Sequence, residues 1–317
     1  MPGATDTANH LLALDWGTSS LRGALLDPSG RLLEERSFAR GILSVAPGEF
    51  VQVFEACFGD WARDRAGRCL ISGMAGSQQG WREAPYCACP AGFADVAAQL
   101  VWIDDPALVL PTAVVPGLCC EHACAVPGLP SLPDVMRGEE VQIFGAMQHT
   151  GQRDGLFLLP GTHSKWARVQ GGRVTGFRTF MTGEWFALLG RHSLLAKSIA
   201  PDAPLDQTAF AKGVLVARCG TGLLHNAFST RTLSLFGRMD AAELSSYLSG
   251  LVIGEELQAQ TLLPGTRVVL VGSAALTQRY TQALALYGVR CDVLGTEATW
   301  AGIHALANQL QTFPNPP

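Results

Sequence analysis

The sequence predicts a mixed α/β protein made of two related halves, and three observations lead there. A strand–turn–strand unit occurs twice, as HLLALDWGTSSLRGALLDPSGRLLEERSF near the start and GLFLLPGTHSKWARVQGGRVTGFRTF about halfway along. Each copy is followed by helical periodicity alternating with short apolar runs, the pattern of a layered α/β domain. Finally, 317 residues leave room for two domains of ordinary size. The halves are expected at 1–150 and 151–317, with room for the last helix to pack back on the first half.

Leu11–Leu14 is a continuous apolar run, as for a buried strand. Strands Leu21–Leu26 and Arg31–Phe38 follow, joined by Asp27-Pro28-Ser29-Gly30, a strong turn signal. Phe50, Val53, Phe54, Cys57, Phe58 and Trp61 fall on one face of an amphipathic helix. Cys69–Ser72 reads as a fourth strand, ending in the polar loop GMAGSQQGWREAPY. Residues 102–137 are proline-rich and expected to be irregular, with short strands at Leu108–Leu110 and Ala113–Val114. Glu139–His149 reads as a helix whose two leading carboxylates complement its dipole. The second hairpin unit runs from Leu156 to Phe180. Helices are expected at Glu184–Ser198, Gln207–Cys219 and Ala241–Leu262, the last opened by an Asp240/Glu243 capping box. Strand Arg267–Val271, helix Ala275–Tyr287, strand Arg290–Leu294 and helix Thr299–Leu310 complete the chain.

A net charge of −4 with no Lys/Arg run argues against nucleic-acid binding. The first ten residues have neither a basic nor an apolar leader segment, and prolines interrupt the longest apolar stretch, so neither export nor membrane insertion is expected. Nine cysteines in such a chain read as reduced cytoplasmic thiols. Cys119, Cys120, His122 and Cys124 cluster, with Cys87 and Cys89 upstream, but the spacing matches no standard zinc pattern. Buried or loop thiols are the preferred reading there.

The two Gly-Thr-X-Ser turns carry the chemistry. Each offers backbone N–H and hydroxyl donors suited to an anion with several oxygens, such as a nucleotide phosphate. Asp15 immediately precedes the first turn, where a carboxylate can hold Mg²⁺ through water; the alternative is an Asp that bonds its own turn.

The segment Asp15-Trp16-Gly17-Thr18-Ser19-Ser20 resembles the first phosphate loop of the sugar kinase/Hsp70/actin superfamily. Leu159-Pro160-Gly161-Thr162-His163 resembles its second phosphate loop, and VVLVGSAA (268–275) its adenosine loop. Within the superfamily the chain is most similar to 2-dehydro-3-deoxygalactonokinases, through DWGTSSLRG, GMAGSQQGW with APY, VMRGEEVQIFGA, LPGTHSKW and FRTFMTGE, in the family's order. The resemblance implies two ribonuclease-H-like (actin-like ATPase) half-domains with mixed sheets and a nucleotide cleft between them. It implies a cytoplasmic kinase using ATP and Mg²⁺ to phosphorylate the terminal (6-) hydroxyl of 2-dehydro-3-deoxy-D-galactonate, in galactonate breakdown. The second loop departs from the superfamily, which usually has Asp where Pro160 stands, so the base must come from elsewhere.

On this resemblance Glu139 and Glu140 are the candidate bases, held ionised at a helix start, with Asp134 a weaker alternative. The competing reading is that both merely stabilise the helix. A sugar acid needs a cation for its carboxylate, and Arg137 or Arg82 could supply it. Ser77, Gln78 and Trp81 offer polar groups beside an aromatic platform for substrate, or else form a capped turn with a packed Trp. For the nucleotide, the expected contacts are Gly17, Thr18, Ser19, Gly161, Thr162, His163, Lys165 as a point charge, Gly272 and Ser273. Partners are thus a small sugar acid and ATP, with neither nucleic acid nor membrane, and a homodimer left open. Two rivals remain: a phosphohydrolase using water as acceptor, and a nucleotide-switched binding module.

Overall fold

The computed structural model describes residues 10–124 and 126–310; residues 1–9, read above for a leader, lie outside that range. The chain divides into two compact units. The first comprises the described residues up to Asp154, Ala167–Phe177 and those from Thr296 onward; the second comprises Gly155–Trp166 and Arg178–Gly295.

In the first unit, β1 (His10–Trp16), β2 (Leu21–Leu26) and β3 (Leu32–Phe38) form the expected meander. There follow α1 (Phe50–Asp64), β4 (Ala66–Gly73), β5 (Tyr86–Ala88), α2 (Phe93–Ala97), β6 (Val101–Trp102), β7 (Thr112–Val114), β8 (Gly117–His122), β9 (Leu132–Met136) and α3 (Glu139–Thr150). The main sheet has the order β3-β2-β1-β4-β7-β6, with β1, β4 and β7 parallel. Side chains alternate across it. Leu12, Leu14 and Trp16 join Cys69 and Ile71 on the face covered by Phe50, Phe54, Phe58 and Trp61 of α1. Each such aromatic contributes about 2–3 kcal/mol of burial. Asp15 and Ser72, in register across β1 and β4, therefore share the opposite face.

One expectation fails. The proline-rich stretch is only partly irregular: besides β7, at the expected Ala113–Val114, it supplies β8 and β9, which join β5 in a separate three-stranded sheet, while Leu108–Leu110 is not a strand. Pro111, Pro116 and Pro133 break the alternation that would have revealed strands this short.

The second unit begins with β10 (Gly155–Leu159), β11 (Ser164–Gln170) and β12 (Arg173–Phe180). Then come α4 (Thr182–His192), α5 (Gln207–Ala217), α6 (Leu223–Asn226), α7 (Phe228–Leu235), α8 (Ala241–Gln258), β13 (Arg267–Val271), α9 (Ala274–Ala285) and β14 (Arg290–Leu294). The sheet order β12-β11-β10-β13-β14 repeats the order β3-β2-β1-β4-β7 of the first unit, with β10, β13 and β14 parallel. The short helices α6 and α7 have no counterpart in the sequence reading. Helix α8 carries the expected box: Asp240 Oδ1 accepts from Ala242 and Glu243 N, and Glu243 returns to Asp240 N.

The last described helix is α10 (Glu297–Gln309), which packs on α3 in the first unit. Their backbones nearly touch: a Cβ on Gly145 would collide with the Ala298 carbonyl, and one on Gly302 with that of Val141. Gly145→Ala is therefore expected to lower stability by about 1–3 kcal/mol, the usual cost of overpacking. Denaturant unfolding measures this, and an unchanged midpoint would contradict the close crossing.

Candidate active site

The first turn leaves β1 at Asp15 and Trp16. Gly17 N bonds Ser20 O at 2.9 Å, and Ile42 N bonds Gly17 O at 3.0 Å, so the segment after β3 holds the turn from outside. Thr18, Ser19 and Ser20 are exposed. Asp15 Oδ2 accepts from Arg22 Nη2 at 2.5 Å, and the Arg22 guanidinium lies 5.6 Å from the Trp300 ring centre.

Two glycines with left-handed backbone bring the start of α3 to Asp15. Gly73 ends β4 with φ 93°, and Gly138 precedes α3 with φ 102°. A Cβ on Gly73 would lie 2.9 Å from Trp16 O and 3.3 Å from Asp15 Oδ1; one on Gly138 would lie 3.3 Å from Gly73 Cα. Asp15, Gly73 and Gly138 thus stand in file, and neither glycine tolerates a side chain without strain.

At the helix start both carboxyls fold back onto backbone. Glu139 Oε2 accepts from Arg137 N at 3.0 Å, and Glu140 Oε2 accepts from Gly138 N at 2.7 Å. The two then differ. Glu140 is wholly buried, and its Oε1 has no hydrogen-bond partner. Burial, aided by the neighbouring Glu139 charge, pushes the Glu140 carboxyl up to about 8. The expectation that the helix start keeps both carboxyls ionised at neutral pH is therefore corrected for Glu140, because desolvation outweighs the helix dipole and the Gly138 amide.

Arg137 is similarly placed. Its Nη2 donates to Ala84 O at 2.8 Å, its guanidinium lies 4.4 Å from the Tyr86 ring centre, and buried Nε and Nη1 have no partner. Gly76 makes room, since a Cβ there would come within 2.7 Å of Nη1. Ser77 Oγ and Ser72 Oγ are also buried without partners. Buried polar groups in native structures normally find partners, so this set makes the start of α3 a candidate site for a polar ligand. Arg82, by contrast, is exposed, and Asp134 faces His122 at 3.4 Å. Gln78 and Trp81 line a cavity of about 330 Å³ with Val45, Phe50 and Asp105. Trp81 also packs edge-on to Trp16, with centroids 5.9 Å apart, so it is part of the core as well as the cavity wall.

In the second unit, Thr162 and His163 are exposed at the tip of the turn between β10 and β11. The start of α4 supports this tip: Glu184 N donates to Thr162 O at 3.0 Å, His163 Nε2 pairs with Glu184 Oε2 at 2.6 Å, and Gly183 seats against Gly161 O. Lys165 is buried, and its Nζ donates to Thr179 Oγ1 at 2.8 Å, inside the hairpin. Gly272 N donates to Leu294 O at 3.1 Å, and a Cβ on Gly272 would lie 3.5 Å from the Pro160 ring. The Gly272 turn and the Gly161 turn are therefore adjacent. Ser273 opens α9, its carbonyl accepting from Leu276 and Thr277 N. Beside α9 runs a groove of about 480 Å³ lined by Gln207, Ala274, Thr277, Gln278, Thr281 and Val293.

Among the described residues, no three His, Cys, Asp or Glu side chains gather as a metal site, the cysteine cluster included. Cys120 Sγ donates to Phe177 O at 3.3 Å. Sequence reasoning missed Ser72 and Glu184. Ser72 is recognisable only from its register with Asp15, and Glu184 only from its pairing with His163.

Residues 15–306 match the model of the 2-keto-3-deoxy-galactonokinase family. Among curated proteins, one from Rhizobium meliloti (strain 1021), assigned as 2-dehydro-3-deoxygalactonokinase DgoK1, is 36% identical over 96% of this chain and 98% of its own. The 2-dehydro-3-deoxygalactonokinase of Escherichia coli (strain K12) is 32% identical over 95% of this chain and 98% of its own. A crystal structure from Sinorhizobium meliloti, of a protein assigned to the same enzymes, superposes with a TM-score of 0.82 at 34% identity, covering 96% of this chain and 100% of that one.

Proposed function

Because the chain belongs to the 2-keto-3-deoxy-galactonokinase family, we propose that it transfers the γ-phosphoryl of ATP to the terminal 6-hydroxyl of 2-dehydro-3-deoxy-D-galactonate, in galactonate catabolism. The observation that carries the reading is the set of buried, unpartnered polar groups around the start of α3: Glu140 Oε1, Arg137 Nε and Nη1, and Ser77 Oγ.

Arg137 takes the substrate carboxylate. Its guanidinium fork suits two parallel hydrogen bonds to a carboxylate, and it is already desolvated. Glu140 takes the acceptor hydroxyl on its open oxygen. A carboxyl held near 8 retains enough basicity to accept that proton as the oxygen–phosphorus bond forms. Glu139 supplies the neighbouring charge that raises Glu140. Ser77 and Gln78 serve the sugar hydroxyls, with Trp81 as the apolar wall. Each Gly-Thr-X-Ser turn offers donors to phosphate oxygens, through Gly17, Thr18 and Ser19 in one and Gly161, Thr162 and His163 in the other. Gly272 and Ser273 leave room for adenosine beside the second turn. Lys165 acts from beneath, through Thr179, as a buried positive charge.

Asp15 fits a Mg²⁺ held through water. One carboxylate oxygen is tied to Arg22 and the other is turned toward Gly73, and a cation that keeps several waters and takes its remaining ligands from phosphates needs only one such carboxylate. When bound, Mg²⁺ neutralises the charge on the transferring phosphoryl group.

No described helix is long and apolar enough to cross a membrane. The nine free cysteines support action in the cytoplasm, where thiols stay reduced. The experiment is product analysis by ³¹P and ¹³C NMR after turnover with ATP. Phosphorus coupling to C6 is expected; coupling at another carbon, or free phosphate as the only product, would refute the reading.

A further inference from the structure

The carboxyl of Glu256, on α8, is buried in the second unit at the meeting point of three donors. Its Oε1 accepts from Trp166 Nε1 at 2.6 Å. Its Oε2 accepts from Tyr280 Oη at 2.6 Å and from Thr182 Oγ1. Tyr280 Oη also lies 2.9 Å from Ser164 Oγ. Because the phenol gives its proton to Glu256, Ser164 must be the donor in that second bond.

All of these partners lead to one turn. Ser164 is its last residue, and Trp166 follows two positions later on β11. Thr182 is the first residue of α4, where Gly183 seats against Gly161 O and Glu184 N holds Thr162 O at 3.0 Å. Glu256 thus grips the turn at its exit through Ser164 and Trp166, and at its tip through the start of α4. A carboxylate alone among side chains of this size can accept all three donors, two of them on one oxygen. Burial pushes the Glu256 carboxyl up, while the Thr182, Tyr280 and Trp166 hydrogen bonds hold it down.

We propose that Glu256 is a positioning residue that sets the shape of the Gly161–Ser164 turn for the phosphates of the nucleotide. This rests on the reading of that turn as phosphate-binding. The Ser164 proton is spent inward, so the turn presents its backbone amides and Thr162 to the ligand.

Glu256→Gln keeps the volume but faces an amide N–H₂ toward a donor. The test is steady-state kinetics with each substrate varied in turn. The KM for ATP is expected to rise about tenfold, as for one buried hydrogen bond left unmade, with the KM for the sugar acid unchanged. Tyr280→Phe, which removes one of the three donors to Glu256 together with the link to Ser164 but leaves the carboxylate in place, should shift the same constant by about threefold. Unchanged constants, or an equal rise in both, would overturn the proposal; should Glu256→Gln not fold, Tyr280→Phe decides by the same criterion. Thr162→Ala separates the premise from the inference. If it leaves the KM for ATP unchanged, the phosphate reading of the turn fails; if it raises that constant while Glu256→Gln does not, only the role of Glu256 fails.

Discussion

Glu140→Gln is expected to lower kcat by about 10²–10⁴-fold, the range that a positioned general base contributes. Glu139→Gln should cost far less, because that carboxyl acts only by raising its neighbour. The pH dependence follows from the same burial. With the Glu140 carboxyl near 8, kcat/KM should climb as pH rises from 6 toward 8 and then level off. Glu139→Gln should move this limb to lower pH, since it removes the adjacent negative charge that helps raise Glu140.

Stability should move in the opposite sense to activity. The folded-state value of Glu140 lies above its unfolded value of 4.5, so the folded protein holds a proton that the unfolded chain releases. The site is thus least costly below about pH 4.5, and its cost grows as pH rises toward 8, reaching on the order of 3–5 kcal/mol. Glu140→Gln removes that cost. Its melting temperature should exceed that of the unsubstituted protein by a margin that widens between pH 5 and 8.5. Loss of both activity and stability at every pH would instead mark Glu140 as a purely structural helix-start residue.

Arg137→Met has the second large effect. Truncating one partner of a buried charged pair costs about 3 kcal/mol, so the KM for the sugar acid should rise about 100-fold while that for ATP stays put. Arg82→Met is the control, because Arg82 is exposed and should change neither constant. If Arg82→Met raises the sugar-acid KM and Arg137→Met does not, the carboxylate site lies elsewhere.

The parts of the fold that were legible in the sequence carry local signals. The meander β1–β3 declares itself through apolar runs and the Asp27–Gly30 turn, and α1 through its aromatic stripe. Strands β5, β8 and β9 were illegible because prolines interrupt runs of only a few residues. Helix α8 was readable from its capping box, yet Glu256 within it gave no sign of its role. That role depends on Trp166, Thr182 and Tyr280, all distant in sequence and gathered only by the folded unit. The same limit applies to the helix start of α3. Its two glutamates look equivalent in the sequence, and only burial separates Glu140, with one oxygen unpartnered, from Glu139. Lys165 shows the converse: beside a phosphate-like turn it reads as a point charge for phosphate, but the strand turns it inward onto Thr179.

The most direct measurement is ADP release with ATP and Mg²⁺, comparing 2-dehydro-3-deoxygalactonate, its gluconate epimer and no acceptor. Release that requires the galactonate form, and that Glu140→Gln and Arg137→Met each suppress, is the expected result. Equal release with and without acceptor would contradict a sugar-acid kinase and point to a phosphohydrolase built on the same turns.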